Sequence, residues 1–343
     1  MIEVEVIVIG SGVSALKTLQ IARECSRRVL AVDSTYSDGG YIQVIDTLYR
    51  IPKAPIFIDL DDMYFFENLG VEVECFDNEV VVLKEGNYVA KTLGYEDIDV
   101  QRNWFSEWVN KKRLCYSENI FEDLKKVLGF EQGKPIHISS GIRKIDVEKK
   151  IVALTSGEFI KYKKLVYTWP LPLLPKLLYP TQVTNIVNEL IDSLKLNNIP
   201  AYILTLLLQK ENRKENREDR VKMYIHSTKA SRMHTAIELN VESKKVLYII
   251  TSYSKKYPLL PGINEKLLSE IKRFRIASPK NIAKEFGLNI AYTLINRIDK
   301  QRIDEVVKKL ANYDIHFFGR LGQWREQTIK EILQDKELKQ TIC

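Results

Sequence analysis

The residues best suited to chemistry are three small ones and an acid near the N-terminus: Gly10, Gly12, Ala15 and Asp33. Gly10 permits a tight turn, Gly12 lets backbone come close to a pyrophosphate, and Ala15 lets a helix pack tightly on a strand. Asp33 follows Gly10 by 23 positions, where a carboxylate can take the two hydroxyls of an adenosine ribose. After five intervening residues comes the pair Gly39–Gly40, which permits positive φ angles and leaves no side chain between backbone and ligand. At the far end of the chain, Phe318–Gly319–Arg320–Leu321–Gly322 is a second strand exit through glycine. Its N–H groups could face an anion, and Arg320 suits charged hydrogen bonds to a phosphate.

These residues need particular elements to hold them. Val4 and Val6–Ile9 form an apolar run suited to a parallel strand buried on both faces. Leu16, Leu19, Ala22 and, obliquely, Cys25 make a helical stripe, and Val29–Val32 is a second buried strand that ends at Asp33. Strand, glycine turn, helix, strand and acid together define a Rossmann-like dinucleotide-binding unit. Farther on, Ile142–Val147, Lys150–Leu154, Phe159–Ile160 and Lys164–Thr168 read as a meander returning to the first sheet. Ala201–Leu208, Val221–His226, Met233–Leu239 and Lys245–Thr251 read as an antiparallel sheet, with the mixed-charge tract Lys210–Arg220 as a solvated hairpin loop. Helices are expected at Asn264–Arg273, Pro279–Phe286, Ile303–Leu310 and Trp324–Leu338, and a strand at Asp314–Phe318. The fold class is α/β: a nucleotide-binding domain of residues 1–75, 136–172 and 303–343, and a second α+β lobe containing the antiparallel sheet. That substrate or cap domain comprises residues 76–135 and 173–302.

Size and charge narrow the function. The 343 residues are enough for two lobes. The net charge of +7 comes from 52 basic and 45 acidic side chains that are interleaved, which argues against a nucleic-acid partner. Four dispersed histidines give no metal-site spacing, and no transmembrane segment is expected. Cys25, Cys75, Cys115 and Cys343 are scattered, which reads as reduced thiols in a cytoplasmic protein. Abundant Lys, Glu and Ile are compatible with a heat-adapted source. A protein partner or a homodimer is compatible with this composition.

Four blocks together resemble the FAD-dependent amine oxidase, protoporphyrinogen oxidase and UDP-galactopyranose mutase superfamily. They are the Gly10/Gly12/Ala15 turn with Asp33, the pair Gly39–Gly40, the stretch Tyr162–Leu171 with its Thr-x-Pro-Leu ending, and Phe318–Trp324. The resemblance implies FAD as the cofactor, with Asp33 at the adenosine ribose. It places Gly10, Gly12, Ala15, Gly39 and Gly40 along the pyrophosphate, Ile142 at the adenine side, and Gly319–Arg320 near the phosphate and ribityl end. It also implies a small, anionic or strongly polar substrate over the flavin, met by Arg232 and Tyr292, with His226 and His234 as lesser candidates. Where mutases of this group carry a Gly-x-His segment, this chain has Pro52–Lys53–Ala54–Pro55. The activity implied is oxidation with hydride transfer to flavin. The alternatives are a sugar-nucleotide isomerase of the mutase type and a non-catalytic FAD-binding partner subunit.

Overall fold

The computed structural model describes residues 1–36, 38–42, 52–209, 220–241 and 244–343, so nearly all of the Lys210–Arg220 tract lies outside the described residues. The chain divides into two compact units. The first comprises Met1–Gln43, Phe121–Asn197 and Ile295–Cys343, and the second Val44–Ile120 and Asn198–Leu294.

The first unit is built on a five-stranded parallel sheet. Its order is Ile315–Phe317, Lys164–Tyr167, Val6–Ile9, Val29–Asp33 and His137–Ser139. Val6–Ile9 is buried throughout, as a central strand flanked on both edges must be. The helix Val13–Glu24 follows it and buries Val13, Ala15, Leu16, Leu19, Ile21 and Ala22. A second small sheet carries the meander: Phe159–Lys161, Ile151–Leu154 and Ile142–Asp146 pair antiparallel, with Ile2–Glu3 and Leu178–Tyr179 parallel at its two edges. The chain then re-enters the main sheet at Lys164–Tyr167, where the sequence pattern put it.

The second unit holds an eight-stranded sheet. Its order is Ile282–Ile295, Asn198–Leu208, Lys244–Ser252, Thr235–Val241, Arg220–His226, Glu74–Lys84, Arg113–Tyr116 and Phe57–Ile58. One pairing, Arg220–His226 with Glu74–Lys84, is parallel. One face packs on the helix Ile263–Arg273, whose Ile263, Leu267 and Ile271 meet Leu204, Leu206, Leu208, Leu247 and Ile249. That spacing of four is the apolar stripe of an amphipathic helix.

Several local expectations give way. Pro279–Phe286 is not a helix: a single 3-10 turn, Pro279–Asn281, leads into the strand Ile282–Ile295. The alternation Phe286, Leu288, Ile290, Tyr292, Leu294 has the period of two that a strand requires. Trp324–Leu338 is not one helix either. Trp324 is fully buried with a positive φ of 50°, and the helices are Ile329–Gln334 and Glu337–Ile342. A capping box between Thr328 and Glu331 starts the first of these. The unit borders also differ from those read off the sequence. Glu74–Lys84 is one continuous strand committed to the second unit's sheet, and it carries the segments before it along.

The expected free thiols are absent. Cys25 and Cys343 form one disulfide and Cys75 and Cys115 another. Cys75 and Cys115 are direct cross-strand partners of Glu74–Lys84 and Arg113–Tyr116, and Cys343 is brought to the end of the first helix by the C-terminal helices packed on it. Spacing along the chain hides both pairings. The argument from cysteine usage to a reducing compartment therefore falls. Among the described residues, no helix is long and apolar enough to cross a membrane.

Candidate functional site

The candidate site lies at the C-terminal end of the parallel sheet. Gly10 has φ 127°, and a side chain there would collide with the Thr168 hydroxyl, so only glycine fits between the two strands. Thr168 fixes this approach by donating its hydroxyl to the Ile9 carbonyl at 2.7 Å. Gly12 is the N-cap of the first helix and supplies no capping side chain. On its Cβ side there is nothing within 4 Å. The amides of the first helical turn thus begin beside open space, the arrangement that receives a phosphate.

Asp33 ends its strand 7% exposed. Its Oδ2 accepts from the Ser11 hydroxyl at 2.8 Å and the Trp169 indole N–H at 3.3 Å. Its Oδ1 accepts from the Thr35 amide at 3.1 Å. Because Ser11 gives its one proton to Asp33, the Thr35 hydroxyl is the donor in the 3.3 Å contact between them. The Thr35 carbonyl accepts in turn from Ser139 Oγ at 2.9 Å and lies 2.9 Å from His137 Nε2. A carbonyl can only accept, so the His137 proton sits on Nε2. Its buried Nδ1 has no partner among the described residues.

The glycine pair reaches the same place. The Gly39 amide donates to the Ser11 carbonyl at 2.9 Å, and Gly39 and Gly40 have φ values of 96° and 59°. Nothing lies within 4 Å on the Cβ side of Gly40. Asp38 anchors the approach: it accepts from the Ile136 amide at 3.1 Å and lies 3.4 Å from the fully buried Lys125 ammonium. Gly319 closes the cluster from the C-terminal segment, with φ 78° and the Ser14 hydroxyl standing where a Cβ would go. Ile142 is buried at the start of its strand, two residues beyond Ser140, whose amide donates to the Asp33 carbonyl at 2.8 Å.

Gly10, Gly12, Ala15, Asp33, Gly39, Gly40 and Gly319 are therefore gathered at one sheet end. Arg320 is placed differently from expectation. Its guanidinium makes a two-pronged pair with Glu326, Nε at 2.8 Å and Nη2 at 2.7 Å, both side chains being largely buried. Sequence reasoning missed Ser11, Trp169, Thr35 and His137. Ser11, enclosed by the two glycines, was the one with a readable signal.

In the second unit, Arg232 and Tyr292 do not come together. Tyr292 is on the edge strand Ile282–Ile295, and Arg232 is in the turn before Thr235–Val241. Two strands intervene, so three strand spacings separate them, roughly 14 Å at about 4.8 Å each. Arg232 Nη1 donates to the Pro258 carbonyl at 3.1 Å, and its guanidinium lies 4.1 Å from the centre of the Tyr257 ring. His234 is fully buried between Thr235 and Ser252, and burial pushes its pKa well down. His226 is buried beside Lys91, 3.3 Å from its amine. Among the described residues no group of three or more His, Cys, Asp or Glu is placed to hold a metal ion.

A parallel sheet with a glycine turn, an uncapped helix start and a terminal acid defines the class of dinucleotide-binding folds. Within that class, the fold is that of two groups of solved enzymes. A reduced UDP-galactopyranose mutase superposes with a TM-score of 0.73 at 12% identity, covering 99% of this chain and 94% of that one. Wild-type putrescine oxidase bound to putrescine superposes at 0.62 and 10% identity, covering 99% and 98%. A double mutant of the same oxidase, from a structure-based redesign of its cofactor binding, gives 0.63 at 9% identity, covering 99% and 98%. No family model matches the sequence. No curated protein matches it either.

Proposed function

We propose that this chain binds FAD and acts as an oxidoreductase of the amine oxidase-like type on a small substrate. The reading rests on one observation. The uncapped first-helix start, the open space over Gly12, the Asp33 carboxylate and the Gly39–Gly40 turn all converge on one sheet end. First-turn amides would meet the pyrophosphate and Asp33 the adenosine ribose, while Gly319 lets the C-terminal segment pack against Ser14 of the first helix. Since Arg320 is engaged by Glu326, the helix start would carry the phosphate charge, with Arg320 holding the C-terminal segment in place. Bound flavin would supply the electron sink for a hydride leaving the substrate. A pocket shared by Arg232 and Tyr292 is not part of this proposal, because three strand spacings separate them.

Denaturing the purified protein and recording the spectrum of the released small molecules tests the cofactor directly. A flavin spectrum is expected, and folded protein that neither releases flavin nor binds added FAD would overturn the reading. Anaerobic bleaching of the bound chromophore by an amine would support the oxidase. Conversion of a UDP-sugar without net oxidation would move the assignment to the isomerase chemistry.

A further inference from the structure

Asp33 has more donors around it than a ribose-binding acid needs. An ionised carboxylate offers about four lone-pair positions, two on each oxygen. Ser11 and Trp169 fill both on Oδ2, and the Thr35 amide fills one on Oδ1. Among the described residues, one position on Oδ1 is left. A ribose that places both hydroxyls on this carboxylate needs two.

The three donors differ in how readily they can leave. Thr35 donates from the backbone, two residues beyond Asp33 itself. Ser11 sits between Gly10 and Gly12 and receives the Gly39 amide on its carbonyl. Trp169 makes the longest of the three bonds, 3.3 Å, from a half-buried side chain just past the strand Lys164–Tyr167. We infer that Trp169 is a specificity-determining competitor for the nucleotide: its indole N–H holds the second ribose position on Asp33, and a ribonucleotide must displace it. With no nucleotide present, the same bond helps satisfy a buried charge that would otherwise be costly. The inference rests on the dinucleotide reading above, and it makes the indole a stand-in for a ribose hydroxyl.

The test is made on protein freed of bound flavin and uses ADP, which carries the ribose and the pyrophosphate without the flavin ring, and 2′-deoxy-ADP, which lacks one hydroxyl. Trp169→Phe removes the donor and keeps an aromatic ring. It should bind ADP roughly three- to tenfold more tightly than wild type, the effect of freeing one hydrogen-bond position. The preference for ADP over 2′-deoxy-ADP should widen by a similar factor. Independently of any variant, saturating ADP should change the tryptophan emission of the wild-type protein. Trp169→Phe, keeping Trp104, Trp108 and Trp324, should lose that change. Weaker binding of both nucleotides by Trp169→Phe, an unchanged preference, or unresponsive wild-type emission would each overturn the inference. If FAD is retained under any of those outcomes, only the role of Trp169 falls. If wild-type protein binds neither FAD nor ADP, the dinucleotide reading falls and takes this inference with it.

Discussion

Asp33 in the first unit and Glu270 in the second are both buried acids, 7% and 1% exposed, but their surroundings differ in kind. Glu270 takes three hydrogen-bond donors, as Asp33 does. Its Oε2 accepts from Ser231 Oγ at 2.6 Å and the Met233 amide at 3.0 Å, its Oε1 accepts from the Arg232 amide at 2.9 Å, and Lys266 lies at 3.9 Å. It ties the helix Ile263–Arg273 to the turn before Thr235–Val241. Asp33 differs in its long bond to Trp169 and in the open space over Gly12 nearby. Burial of a charge alone marks neither a site nor a strut. The number of donors does not separate them either; what does is where the donors come from and the open space beside Asp33.

Glu270→Ala is the most damaging way to probe that contrast. It removes the acceptor of the Arg232 and Met233 amides and the closer partner of the Ser231 hydroxyl, and it removes the acid whose charge favours the Lys91 ammonium. Breaking a buried ionic network of this kind costs about 3–5 kcal/mol, to be read as a lowered denaturant midpoint. A loss below about 1 kcal/mol would mean that Glu270 is not a strut. Asp33→Ala should act on binding instead. Its FAD affinity should drop roughly ten- to a hundredfold, from about 1.5–3 kcal/mol of charge-assisted hydrogen bonding, as measured by FAD titration. Unchanged affinity in folded Asp33→Ala protein would take the acid away from the ribose.

A pH dependence sharpens the second unit's side of the comparison. Lys91 donates to the carbonyls of His226 at 2.7 Å and Met233 at 2.6 Å. Burial pulls its pKa down to about 7, with Arg232 adding to the depression and Glu270 opposing it. His226 and His234, which pack nearby, are themselves pushed down, first by burial and then by Lys91. The unfolded chain holds its lysine proton up to about pH 10.4, whereas the folded one releases it from about pH 7. Between those limits the unfolded state binds more protons, so stability rises with pH, by at most about 1.4 kcal/mol per pH unit. Denaturant midpoints at pH 7 and 9.5 should show this rise in wild type and a flatter profile in Lys91→Met. Parallel profiles would reject the assignment.

The two acids were not equally legible. Asp33 belongs to a contiguous strand–turn–helix–strand, so that part of the first unit's fold could be read directly from the sequence. Its supporting donors could not. Trp169 and His137 meet Asp33 and Thr35 only through parallel strand neighbours contributed by distant segments. In the second unit, Glu270 stands beside the apolar stripe of Ile263, Leu267 and Ile271, a buried-face acid that the expected helix already contained. The strand Ile282–Ile295 was masked by Pro279, which reads as a helix start, although the alternation from Phe286 onward was there to see. Arg320 shows the limit of resemblance. A matching glycine–arginine block positions the backbone, but Glu326, six residues later, claims the guanidinium.

The Cys25–Cys343 bond joins positions 318 residues apart, which closes residues 25–343 into one covalent loop with residues 1–24 outside it. The first helix thereby acts as the clasp of that loop, and the tail emerging from it supplies the central strand Val6–Ile9. Any single backbone cut inside the loop leaves the molecule in one covalent piece. The glycine turn and Cys343 thus share one helix, with Gly12 at its head and a sulfur bridge at its foot.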